Sequence, residues 1–136
     1  MLSIELQNLF IMAEHRIIDK TLITRVLINR LKEDEEPREI KAKHIQEFEN
    51  PDKITVEGKT AAIVPDLIAI YEKKTQIYQI QLGKDLPIES WEILALYAKE
   101  NNGNFYLVVP DTIKEQVKKK IIKNHINAGI IYFQTN

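Results

Sequence analysis

Residues 64–82, VPDLIAIYEKKTQIYQIQL, read as two apolar strands joined by a short charged turn. The apolar run that ends at Tyr71 meets Glu72-Lys73-Lys74-Thr75, which closes a hairpin into Gln76–Leu82. Alternate residues of a strand share a face, so Asp66 goes with Ile68 and Gln79 with Gln81. Pairing Tyr71 with Gln76 sets Asp66 opposite Gln81, and a two-residue change in pairing sets it opposite Gln79. Either register clusters three polar side chains among apolar neighbours. A functional site has that pattern, and so does a small buried hydrogen-bond network.

Outward from this hairpin the chain alternates between the two periodicities. Upstream, Ile54 and Val56 alternate with polar residues before a turn at Glu57-Gly58-Lys59, and segment 43–49, KHIQEFE, reads as a further, poorly alternating strand. Downstream, Trp91, Leu94, Ala95, Tyr97 and Ala98 form a helical face that stops at Asn101-Asn102-Gly103, where glycine can take the left-handed closing conformation. Phe105–Val109 is a short buried strand, Asp111 or Thr112 opens a helix to about Asn124, and Gly129–Phe133 is a last strand.

The N-terminal region 1–36 reads as helical. Leu2, Leu6, Leu9, Phe10, Ala13 and Ile17 recur at three- and four-residue spacing. A second set, Leu22, Ile23, Val26, Leu27 and Leu31, is offset from the first, so a break falls near Ile18-Asp19-Lys20, with Asp19 or Thr21 as the cap and Pro37 as the terminator. The whole is one domain over residues 1–136, of α/β class: a mixed central β-sheet flanked by helices, because strand–helix–strand alternation favours parallel neighbours and tight turns favour antiparallel ones.

Composition narrows the chemistry. The chain has no cysteine, which removes disulfides, thiolate zinc sites and cysteine nucleophiles. No apolar run is long enough to span a membrane, and the N-terminus lacks the basic segment of a secretion signal, so a cytoplasmic location without membrane association is expected. With a net charge of −1, affinity for nucleic acid has to come from a local patch. Residues 32–39 carry five acids against two bases, and residues 114–123 carry five lysines against one glutamate. On helix 112–124, Val117, Ile121 and Ile122 would face the core, leaving Lys114, Lys118 and Lys120 for phosphate contact or simple solvation. Trp91 belongs to the core rather than to a base-stacking platform. His15, His44 and His125 are too scattered for a histidine metal site.

The element order, with Val64-Pro65-Asp66, a hairpin, a strand centred on Gln79-Ile80-Gln81, a helix and another strand, resembles the PD-(D/E)XK nuclease superfamily, whose restriction-endonuclease-like core runs αβββαβ. The resemblance covers roughly residues 54–133. It implies a divalent cation, Mg²⁺ or Mn²⁺, held by an aspartate and by an acid on the next strand, with a lysine two residues on. Asp66 matches the first aspartate. Gln79 stands where the second acid belongs and Gln81 where the lysine belongs, so Asp66, Gln79 and Gln81 are the catalytic positions of a degraded motif.

Phosphodiester hydrolysis at neutral pH uses a metal to stabilise charge and to activate water. A glutamine carbonyl brings no charge to a cation, and a glutamine amide brings none to a phosphate. By resemblance, Glu14 on the N-terminal helix could lend a second metal carboxylate beside Asp66, and Lys84 could reach back to a phosphate. The leading expectation is a nuclease-like domain with a degraded site, engaged in nucleic-acid binding or interaction, with weak or no catalysis and no cofactor. An active Mg²⁺- or Mn²⁺-dependent nuclease is the alternative, and a protein-interaction domain, including a homodimer, is the second alternative. For Asp66 itself, a metal ligand and an acceptor of backbone amides are both open.

Overall fold

The computed structural model describes residues 6–9 and 19–135. Its sheet has six strands in the order β1-β6-β5-β4-β3-β2. They are β1 (Leu6–Leu9), β2 (Glu39–Ala42), β3 (Leu67–Ile70), β4 (Thr75–Ile80), β5 (Phe105–Pro110) and β6 (Gly129–Phe133). Three helices, α1 (Lys20–Asp34), α2 (Ile88–Glu100) and α3 (Lys114–Lys123), cover the sheet. β2, β3 and β4 are antiparallel neighbours, whereas β4, β5, β6 and β1 run parallel. The expected mixed α/β sheet is present, and α1-β2-β3-β4-α2-β5 follows the order helix, strand, strand, strand, helix, strand, but the first of these strands is Glu39–Ala42, and the expected strand at Ile54–Val56 makes only an isolated bridge to Ile63.

The alternation of side chains gives each face of the sheet its own core. Ile68, Ile77, Leu107, Val109 and Ile130 pack with Trp91, Leu94 and Ala98 of α2 and Val117 and Ile121 of α3. Leu67, Ala69, Tyr78, Ile80, Val108 and Phe133 pack with Ile23, Leu27 and Ile28 of α1. Tyr78 lies on Tyr106 with ring centroids 5.2 Å apart, and burial pushes its hydroxyl pKa well above the ordinary phenol value. Trp91 is fully buried, as its helical spacing implied.

Several local expectations change. Leu6–Leu9 lies inside the helix expected over 2–17 but is an edge strand, in parallel register with Ile130–Phe133. Pairing with an otherwise open strand edge outweighs a short stretch of helical spacing. The rest of that expected helix, Glu14 included, lies outside the described residues. Asp19 does cap α1: its Oδ1 accepts from the Leu22 amide at 2.9 Å. Segment 43–49 is a loop, not a strand. The strand precedes it as β2, and the Ala42 amide bonds back to the Glu49 carbonyl at 2.9 Å, closing the segment on itself.

The expected turn at residues 57–59 holds, with Gly58 at φ 86° and Ile54 bridged to Ile63 on either side. The left-handed residue that ends α2 is Asn102, at φ 60°, rather than Gly103. Gly103 is needed for another reason: a Cβ there would lie 1.8 Å from the Thr75 carbonyl oxygen. On α3, Val117 and Ile121 are buried but Ile122 is 47% exposed, because a ten-residue surface helix buries one narrow face and Ile122 lies beside it.

Candidate functional site

Pro65 holds the chain extended into a bend, after which β3 begins at Leu67. The pairs Ile70 with Thr75 and Leu67 with Tyr78 set the hairpin register, which carries Asp66 opposite Gln79 rather than Gln81. At this point regular pairing stops and side chains take over the hydrogen bonds. The Asp66 amide donates to Gln79 Oε1 at 2.9 Å, and the Ile80 amide donates to Asp66 Oδ2 at 2.8 Å. The Lys43 amide donates to the Asp66 carbonyl at 2.9 Å. Asp66 and Gln79 thus finish the β3–β4 ladder with their side chains, as a buried backbone amide requires.

The Asp66 side chain is fully buried, and a buried carboxylate needs partners. A lysine and a histidine supply them. Lys20 Nζ, at the first residue of α1, lies 3.2 Å from Oδ2 and 3.4 Å from Oδ1. His44 Nε2 lies 3.1 Å from Oδ1. A carboxylate only accepts hydrogen bonds, so Nε2 carries the proton on that side. His44 sits at φ 59°, a left-handed backbone that turns its ring back toward β3 from the loop after β2. Three separate elements therefore converge on one carboxylate.

Gln81 does not join them. Its amide donates to the carbonyls of Gly83 at 2.9 Å and Asp85 at 2.8 Å, and so shapes the loop between β4 and α2. Lys84 is exposed on that loop. Lys114 starts α3 with its Nζ 4.2 Å from the Tyr132 ring centroid, while Lys118 and Lys120 continue along α3. Since α3 packs on the sheet face opposite α1, Lys114, Lys118 and Lys120 form a group separate from the Lys20–His44 pair. Glu14, the other expected metal ligand, lies outside the described residues.

The donor set around Asp66 does not fit a divalent cation. Among the described residues, no group of three or more His, Asp or Glu side chains converges as a metal site. Asp66 is committed to Lys20, His44 and the Ile80 amide, and Gln79 Oε1 to the Asp66 amide. No buried side-chain N or O atom at this site lacks a partner; among the described residues, Trp91 Nε1 is the one that does. A hard cation would have to displace an ammonium already in place and, among the described residues, would find a single carboxylate.

Sequence spacing singled out Asp66 and Gln79 and could not reach Lys20 or His44, which lie 46 and 22 residues from Asp66. The available signal was only that a buried strand aspartate demands a cation and that α1 begins with a lysine. No protein-family model, curated protein or solved structure matches the chain.

Proposed function

We propose that this chain is a cytoplasmic, restriction-endonuclease-like domain in which the catalytic centre has become an ion-paired hub, and that it binds nucleic acid without metal-dependent cleavage. The observation that carries this reading is the saturation of Asp66 by Lys20, His44 and the Ile80 amide, with glutamines at the two remaining motif positions. The helix-strand-strand-strand-helix-strand order and an aspartate at the start of β3 support the kinship. Lysines without a described ion pair, Lys84, Lys118 and Lys120, support contact with a polyanion.

The test is binding and cleavage of labelled single-stranded, duplex and branched DNA and of RNA, with Mg²⁺ or Mn²⁺ and with chelator. Wild type is run beside Asp66→Asn, which keeps an acceptor for the Ile80 amide. Binding that needs no metal and weakens steeply with salt, without cleavage, is the expected result. Metal-requiring cleavage lost in Asp66→Asn would make the chain an active nuclease. Absence of salt-sensitive binding to every probe would favour a protein-interaction domain.

A further inference from the structure

We infer that Lys20 and His44, held side by side by Asp66, form a phosphate-binding site in which side-chain donors take the part a metal would play. This inference rests on the nucleic-acid reading for its polymeric ligand, but the site itself is defined by its own chemistry.

The carboxylate and its two partners differ in exposure. Asp66 has none of its side chain exposed, whereas the side chains of Lys20 and His44 are 36% and 30% exposed. An approaching anion therefore meets the donor groups first, with the negative charge buried behind them. Neither donor group is used up. An ammonium has three N–H groups, and the contacts of Lys20 to the two Asp66 oxygens leave one to give. His44 commits Nε2 to Asp66; its imidazolium form has a second N–H, at Nδ1, to give, whereas the neutral ring has only an acceptor there.

Both donors are also preorganised. Lys20 sits in the first turn of α1 beside the Asp19 cap, where Thr24 Oγ1 bonds the Lys20 carbonyl at 2.6 Å. His44 is fixed by its left-handed backbone and by the Lys43 amide bond to Asp66. Ordering a long lysine side chain before the ligand arrives removes an entropic cost that a free surface lysine would incur on binding. Asp66 is the positioning residue of the site, and Lys20 and His44 are its contact residues. A tetrahedral phosphate oxyanion, free or within a nucleic-acid backbone, is the ligand class that two adjacent donors of this kind accommodate.

The experiment follows the His44 ring signals by NMR while inorganic phosphate is added, and measures the salt dependence of oligonucleotide binding in wild type, Lys20→Gln and His44→Asn. Asparagine tolerates the left-handed backbone at position 44. Phosphate should move the His44 signals in wild type and not in Lys20→Gln. The slope of log affinity against log salt should fall by about 1 in Lys20→Gln, and affinity should fall in His44→Asn. His44 signals unmoved by phosphate would overturn the site, whether or not Lys20→Gln folds, because that arm uses wild type. Oligonucleotide binding with affinity unchanged in folded His44→Asn would overturn it while leaving the nucleic-acid reading intact. Phosphate binding at His44 with no oligonucleotide bound would support the site and refute the nucleic-acid reading.

Discussion

The two ends of β4 are both marked by glutamine, and they do different work. At the start, Gln76 is buried and its Oε1 accepts from the Asn104 amide, while the Thr75 and Ile77 amides bond the carbonyls of Asn101 and Asn104. At the finish, Gln79 accepts from the Asp66 amide, and Gln81 reaches two carbonyls of the following loop. In both places a neutral amide replaces a missing backbone partner. Only the finish adds a buried carboxylate with Lys20 and His44 half-exposed around it. Polarity within a strand is thus a structural cap, and charge is what separates a candidate site from a cap.

That contrast can be broken most strongly at the start of β4. Gly103→Ala would place a Cβ 1.8 Å from the Thr75 carbonyl oxygen, and backbone on both sides leaves little room to yield. A loss of about 3 kcal/mol or more is expected, read as a lower urea midpoint in equilibrium unfolding. Wild-type stability would show that the α2–β5 turn shifts freely and that this end is less rigid than the geometry indicates.

Asp66→Ala comes next. It leaves the buried Ile80 amide without its acceptor and strips Lys20 and His44 of their partner, so a loss of about 2–3 kcal/mol is expected in thermal or urea unfolding without added metal. A melt equal to wild type would mean that the carboxylate is not needed by the fold, and would revive its reading as a metal ligand. Gln76→Ala should cost about 1–2 kcal/mol through the orphaned Asn104 amide, with no effect on ligand binding. Gln81→Ala removes two exposed hydrogen bonds and should cost less than about 1 kcal/mol. Its effect should appear as faster amide exchange confined to residues 82–86. If Gln81→Ala proved as damaging as Asp66→Ala, the division between cap and charged hub would fail.

The parts legible in the sequence were those held by near neighbours. The hairpin at residues 71–75, the Asp19 cap, the α2 face with Trp91 and Leu94, and the strands that became β5 and β6 all follow from local spacing and turn residues. The candidate site was half legible. Asp66 and Gln79 stand out as polar residues within apolar strands, but their register stayed open between two pairings until the Leu67–Tyr78 pair settled it. Gln81 read as a site residue because alternation puts it on the face of Gln79, yet β4 ends at Ile80 and alternation ends with it. The edge strand Leu6–Leu9 was misread because its partner, β6, lies more than 120 residues away in sequence.

The sequence by itself determined the class of the protein: a mixed α/β fold without thiol chemistry, with an aspartate placed at the head of a buried strand and glutamines on the strand that follows. Short-range forces suffice for that, since periodicity, capping and turn residues act over a few positions. Only the tertiary structure decided what Asp66 does. Burying a carboxylate is costly unless charged or hydrogen-bonding partners come with it, and those partners, Lys20 and His44, come from a helix start and a loop that meet Asp66 only once the sheet has assembled.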